Sequence, residues 1–164
     1  MRVRRAAAVA AATVVAAATG LVLTAAPAHA TDDGCLDGGS VIFGTAGGDV
    51  LYGTDGADVI YGLGGRDIIQ GGGGADLIIG GPGPDDLFGD DCRDVIFGND
   101  GGDLVAGFDG DDAVYGNQGD DIVVGGLGTD VLDPGQGDDQ CADAATDDVE
   151  TVYNIVYFQQ FYDC

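Results

Sequence analysis

The sequence predicts an all-β protein: a solenoid of short parallel strands, two per 18-residue coil, closed by a small C-terminal cap. Three observations predict it. An aspartate recurs every nine residues, at Asp49, Asp58, Asp67, Asp76, Asp85, Asp94, Asp103, Asp112, Asp121, Asp130 and Asp139. With that aspartate as position six, position one is glycine in every repeat but the last, which has Pro134, and position four is glycine except at Cys92. Position eight is Leu51, Ile60, Ile69, Ile78, Leu87, Ile96, Val105, Val114, Val123, Leu132 and finally Cys141. The repeats fill residues 44–142 without an insertion. A short fixed period marks stacked units, none of which can bury its apolar face alone.

Residues 1–30 read as a signal peptide. Arg2, Arg4 and Arg5 precede an apolar run over residues 6–26, Pro27 breaks it, and Ala28-His29-Ala30 is a small-x-small cleavage site. The run is also long enough for a membrane anchor. Its alanine content, its interruptions at Thr13, Thr19 and Gly20, and its cleavage motif favour a cleaved leader and a secreted, extracellular chain starting at Thr31.

That mature chain keeps Arg66 and Arg93, no lysine and no histidine, against 29 carboxylates, a formal charge of −27. Such a chain repels nucleic acid and anionic membrane surfaces. It also repels itself, so a compact state needs counter-charge from solution. An acidic, glycine-rich disordered segment has a similar composition. The strict period and the aliphatic residues it carries argue for a fold instead.

Residues 31–43 are a lead-in. From Cys35 they keep the frame in degenerate form, with Gly38 at position four, Ser40 where the aspartate should stand and Ile42 at position eight. A terminal unit stacks on one neighbour only, so it is expected to diverge. In each full repeat, six residues rich in Gly, Asp and Asn suit tight turns. The remaining triplets, such as Val50-Leu51-Tyr52 and Val59-Ile60-Tyr61, are β-branched or aromatic and suit short strands. Position eight then points inward, giving a single layer of aliphatic side chains between two sheets. That core is thin for a domain of this size.

Positions seven and nine point outward. Alternate repeats feed alternate sheets, so one outer face carries the stripe Phe43, Tyr61, Ile79, Phe97 and Tyr115. Such a face is either a solvated sheet or a surface for a partner, a second copy or the chain's own tail. After Ala142 the period stops. Residues 143–164 form a C-terminal cap: an acidic loop, then VETVYNIVYFQQFY, whose composition favours one or two strands although its spacing also fits a helix.

The turns carry the chemistry. Each offers one carboxylate and several carbonyls, and successive turns on one edge lie about 4.8 Å apart. A carboxylate from one turn and carbonyls from the next can clasp a hard cation, and such flexible oxygen-rich coordination favours Ca²⁺ over Mg²⁺. Glycine at positions one and four lets the carbonyls turn toward an ion without a Cβ clash.

Gly71-Gly72-Gly73-Gly74-Ala75-Asp76-Leu77-Ile78-Ile79 and Gly80-Gly81-Pro82-Gly83-Pro84-Asp85-Asp86-Leu87-Phe88 match the pattern G-G-x-G-x-D-x-U-x. In these segments the chain resembles the RTX, or hemolysin-type, calcium-binding repeat proteins. The resemblance implies a right-handed parallel β-roll with each ion between repeats i and i+2. Five sites would follow Asp49, Asp67, Asp85, Asp103, Asp121 and Asp139, and four would follow Asp58, Asp76, Asp94, Asp112 and Asp130. Nine ions would bring the charge from −27 to −9. Cys92, Pro134 and Ser40 depart from the pattern. The N-terminal leader and the near absence of other sequence also depart from RTX exoproteins, so toxin or protease activity does not carry over.

Four cysteines in an exported chain suggest disulfides. On the roll, Cys35 and Cys92 would stand on one edge roughly 14 Å apart. A disulfide needs Cα atoms within about 7 Å, so these two pair only if Cys35 leaves the roll. Cys141 and Cys164 flank the tail and are the preferred pair. The partners of Cys35 and Cys92 stay open.

The expected function is non-catalytic calcium binding. Without histidine or lysine, and with Ser40 as the only serine of the mature chain, zinc-protease and serine-hydrolase mechanisms have no residues to run on. A carboxylate pair for glycoside chemistry is the remaining enzymatic option, but calcium competes for those groups. The alternative function is a surface, matrix or self-associating module that works through the apolar outer face.

Overall fold

The structure is a computed structural model that describes residues 35–142, together with residues 13–17, 20–24, 29–30 and 162–163. Among the described residues every regular element is a strand. Ahead of the repeats lie β1 (Thr13–Ala17), β2 (Gly20–Thr24), β3 (His29–Ala30), β4 (Leu36–Asp37) and β5 (Ser40–Phe43). The repeats supply β6 (Val50–Tyr52), β7 (Val59–Tyr61), β8 (Ile68–Gly72), β9 (Leu77–Pro82), β10 (Asp86–Asp91) and β11 (Val95–Asp100). They continue with β12 (Leu104–Asp109), β13 (Ala113–Gln118), β14 (Ile122–Leu127), β15 (Val131–Gln136) and β16 (Gln140–Ala142), and β17 (Tyr162–Asp163) follows.

Alternate repeats build alternate sheets, as the period requires. One sheet runs β1-β2-β5-β7-β9-β11-β13-β15 and the other β17-β16-β14-β12-β10-β8-β6. From β5 to β15 and from β6 to β16 all pairs are parallel, with a constant offset of one coil: Ile60 pairs with Ile78, Ile78 with Ile96, and Leu87 with Val105. The fold is therefore a parallel β-roll of 18-residue coils.

The strands correct one expectation. β6 and β7 are triplets, but β9 to β15 each hold six residues, so the six-residue turn is shorter than anticipated. Stacked turns continue to pair beyond the triplet: Asn99 with Asn117 and Asp100 with Gln118, passing over Gly98 and Gly116.

Position eight builds the core. Ile60, Ile69, Ile78, Leu87, Ile96, Val105, Val114 and Val123 expose none of their surface, 0 % each. Leu51, Leu132 and Cys141 close the file at its ends and are only partly buried. On the first outer face Phe43 stacks on Tyr61 with centroids 5.0 Å apart, and Phe97 on Tyr115 at 4.8 Å. The second face behaves differently. Ala106, Val124 and Ala142 form a separate buried cluster, with Phe88, Phe108 and Ile122 packed against it.

Cys35 does leave the roll. Gly38, Ser40 and Ile42 stay in frame, since Ile42 pairs with Ile60 and the Ser40 amide donates to the Asp58 carboxylate. Leu36 instead bridges Gly56, two residues out of frame, and its carbonyl accepts the Ala57 amide. Cys35 is thereby brought to Cys92, and the two form a disulfide with Cα atoms 6.1 Å apart. Cys141 is also disulfide-bonded. Cys164, its expected partner, lies outside the described residues, as does the C-terminal cap apart from β17, which pairs antiparallel with β16. Of the expected leader only β1, β2 and β3 are described. β2 lies antiparallel on β5, and β3 on β4. No helix among the described residues is long and apolar enough to cross a membrane.

Candidate metal centre

Stacking the repeats brings the position-six aspartates into two columns, one on each edge of the roll. Within a column each aspartate amide donates to the Oδ1 of the aspartate one coil later. On one edge Asp49 donates to Asp67 (2.8 Å), Asp67 to Asp85 (2.8 Å), Asp85 to Asp103 (2.8 Å), Asp103 to Asp121 (2.8 Å) and Asp121 to Asp139 (2.9 Å). On the other edge Asp58 donates to Asp76 (2.7 Å), Asp76 to Asp94 (2.7 Å), Asp94 to Asp112 (2.8 Å) and Asp112 to Asp130 (2.9 Å). Neither Cys92 nor Pro134 interrupts the ladder. Ser40 continues it through its amide but adds no carboxylate.

The second oxygen has a different fate. Oδ2 of Asp67, Asp76, Asp85, Asp94, Asp103, Asp112 and Asp121 is buried and accepts no hydrogen bond. A buried, unpartnered carboxylate oxygen is costly in a folded protein. Each such oxygen faces the position-one glycine of its own repeat. A methyl group on Gly62 would lie 2.5 Å from Asp67 Oδ2 and 2.6 Å from the Gly80 carbonyl oxygen. On Gly80 it would lie 2.5 Å from Asp85 Oδ2 and 2.9 Å from the Gly98 carbonyl. Orphaned oxygen and carbonyl thus converge on one point in successive coils.

This changes the role expected for position one. Its glycines have no left-handed backbone, and they are needed because the next coil and the carboxylate come too close for a side chain. The left-handed residues are at position four, as in Gly65 (φ 113°) and Cys92 (φ 83°), and at position two. From the third repeat onward every position two is left-handed: Leu63, Gly72, Gly81, Asp90, Asn99, Phe108, Asn117, Gly126 and Gly135. Sequence reasoning missed this, because Leu and Phe are not residues that announce positive φ.

The first two repeats differ. Thr45 and Thr54 occupy position two without positive φ. The Thr45 amide and hydroxyl donate to Asp49 Oδ2 at 2.6 and 2.8 Å. The Thr54 amide and hydroxyl donate to Asp58 Oδ2 at 2.5 and 3.0 Å. The Thr-x-x-x-Asp spacing was the available signal for these contacts.

Electrostatics follow burial. Desolvation pushes the carboxyl pKa of Asp94 to about 8, those of Asp76, Asp103 and Asp112 to about 7, and that of Asp85 to about 6. Asp67 and Asp121 are raised for the same reason. The amide bond from the preceding aspartate opposes each shift, and repulsion from column neighbours adds to it. Between described residues the one ion pair is Arg66 with Asp86 at 3.1 Å, outside the columns, and no cation lowers the carboxyls from Asp67 to Asp121. No three side-chain donors of His, Cys, Asp or Glu converge among the described residues. The donors on offer are column carboxylates and backbone carbonyls, a set suited to calcium and not to zinc.

A family model of the RTX calcium-binding nonapeptide repeat matches the chain in four copies, over residues 36–69, 43–78, 70–105 and 106–141. The chain belongs to the RTX calcium-binding repeat family. No curated protein and no solved structure matches it. RTX repeats bind calcium, and the donor set of this roll fits that ion: orphaned Oδ2 atoms and close carbonyls stand in the same turns from Asp67 to Asp121. Calcium there would supply positive charge to the interior carboxylates, from Asp67 to Asp121.

Proposed function

We propose that this RTX protein is a secreted, non-catalytic calcium binder whose roll folds on calcium and is held by it. The columns Asp49, Asp67, Asp85, Asp103, Asp121, Asp139 and Asp58, Asp76, Asp94, Asp112, Asp130 would take up to nine ions. The observation that carries this reading is the row of buried Oδ2 atoms without donors. A proton or a divalent cation could satisfy them, and at neutral pH in a calcium-rich medium the cation wins by concentration. Extracellular calcium modules commonly work near 10⁻⁴ to 10⁻³ M, roughly. Because repulsion disfavours the empty site, binding and folding are coupled.

Secretion rests on the leader, with cleavage after Ala30. A non-catalytic role rests on the residues: once the leader is gone the chain has no histidine, no lysine and a single serine. A Cys141–Cys164 disulfide would staple the C-terminal cap. Far-UV circular dichroism of the leader-free chain tests the main reading. A β spectrum in millimolar calcium and a disordered one in chelator support it, whereas an unchanged β spectrum in chelator contradicts it.

A second reading, binding of a partner or of a second copy, is favoured by the Phe43–Tyr61 and Phe97–Tyr115 stacks on the first outer face. Sedimentation of the calcium-loaded chain, with and without cell-wall material, checks it. A monomer that ignores the wall counts against it.

A further inference from the structure

We propose that the Cys35–Cys92 disulfide is an external strap that sets the calcium affinity of one aspartate column, Asp58–Asp76–Asp94, and leaves the interior turns of the opposite column outside its reach. The inference rests on the reading of the columns as calcium sites.

The strap starts in one turn and ends two coils further on. At its start, Leu36 bridges Gly56 and accepts the Ala57 amide, while Ser40 donates to Asp58, so this end is fastened to the turn that carries Asp58. At its finish, Cys92 is position four of the turn that carries Asp94. Between them the cleft beneath the strap is lined by Gly73 and Gly74, from the turn that carries Asp76, and by Asp55 and Asp91. Three successive turns of one edge are therefore tied from outside by a covalent link that closes a 57-residue separation.

Cys92 is not a passive anchor. In the other full repeats position four is glycine, and Cys92 takes the left-handed backbone, φ 83°, that glycine adopts freely and a cysteine does not. Its carbonyl belongs to the stack that shapes the next site: a methyl on Gly110 would meet the Cys92 oxygen at 2.2 Å and Asp112 Oδ1 at 2.8 Å. Holding Cys92 thus holds the backbone beside Asp94 and Asp112.

The physical effect follows from charge. Without an ion, like charges in neighbouring turns push them apart, and binding must draw them together again. A tether that limits the separation lowers that ordering cost before the ion arrives. The column on the other edge is not crossed by this link; its last repeat holds the disulfide-bonded Cys141, so its interior turns, at Asp67, Asp85 and Asp103, serve as the internal control.

Substitution separates the strap from ordinary repeat geometry. Cys92→Gly restores the residue of the other repeats and relieves the left-handed cysteine, so a purely local view predicts equal or tighter calcium binding. The strap predicts the opposite. In calcium titrations followed by far-UV circular dichroism, Cys92→Gly and Cys35→Ser should each raise the calcium needed for half-folding by roughly threefold or more. Both should regain the full β spectrum at saturation. In double-mutant cycles the Cys92→Gly effect should couple to Asp94→Asn and add independently to Asp103→Asn. An unchanged or lower midpoint for Cys92→Gly overturns the proposal, as does equal coupling to both columns or failure of both cysteine variants to fold at saturating calcium. A wild-type chain with no calcium response overturns the calcium reading itself, and the strap with it.

Discussion

The first two turns and the seven that follow them use the same aspartate in opposite ways. In the turns of Asp49 and Asp58, threonine at position two keeps an ordinary backbone, and its amide and hydroxyl satisfy Oδ2. In the turns from Asp67 to Asp121, position two is left-handed and Oδ2 is left buried without a donor. A change of backbone at one position thus separates a carboxylate satisfied within its own turn from one left without a donor. The roll begins with turns whose carboxylates threonine satisfies and continues with turns whose Oδ2 atoms have no donor.

Charge removal should break this contrast most strongly. Asp94→Asn is expected to raise the calcium needed for half-folding by about tenfold or more, the scale seen when a metal site loses a needed oxygen or its support. Asp58→Asn should cost less, because threonine already serves that carboxylate. In chelator the sign reverses: Asp94→Asn removes a buried charge and should leave more residual β structure than the wild type. Calcium titrations by circular dichroism check both directions.

Close packing gives the next effect. Gly80→Ala places a methyl 2.5 Å from Asp85 Oδ2 and 2.9 Å from the Gly98 carbonyl, and should destabilise the calcium-loaded roll by about 1–3 kcal/mol in thermal melts. Gly47→Ala, in the first turn, meets nothing within 4 Å and should stay within about 0.5 kcal/mol of wild type. Equal effects would mean that the close approach at position one carries no weight.

Protons should substitute in part for calcium in the interior turns. The folded-state pKa values of Asp85, Asp76, Asp103, Asp112 and Asp94 stand at about 6, 7, 7, 7 and 8, above the unfolded carboxylate value near 4. Groups raised in this way contribute stability that is fully present below the unfolded value and lost as pH rises through the folded ones. In chelator, β content should therefore grow as pH falls from 8 toward 4. In calcium the same protons compete with the ion, so the calcium midpoint should rise over that window. A modest effect is expected of Thr54→Val, which removes one hydroxyl from Asp58 and should cost about 1 kcal/mol in thermal melts.

Much of the fold was legible because side-chain chemistry repeats at a fixed period. Position eight is aliphatic wherever the core demands it, and position six is aspartate in every turn of both columns. The backbone was less legible. Leu63 and Phe108 adopt positive φ in step with Gly81 and Gly126 one coil later, and residue type gives no warning of it. The six-residue strands arise from turn-on-turn pairing, which a period divided into turn and triplet conceals. The Cys35–Cys92 bridge depends on a shift of two residues at Leu36, invisible in a frame that Gly38 and Ile42 keep. The burial of Ala106 and Val124 on the second outer face was equally hidden, since small and branched residues suit a solvated sheet as well as a covered one.

The most direct test of the central claim is calcium counting by equilibrium dialysis on the full chain at saturating calcium. The orphaned carboxylates predict several ions per chain, up to the nine that the two columns can seat, with loss of ions when Asp85 and Asp94 are changed to asparagine. A count of none or one, or a count that ignores those substitutions, would contradict it.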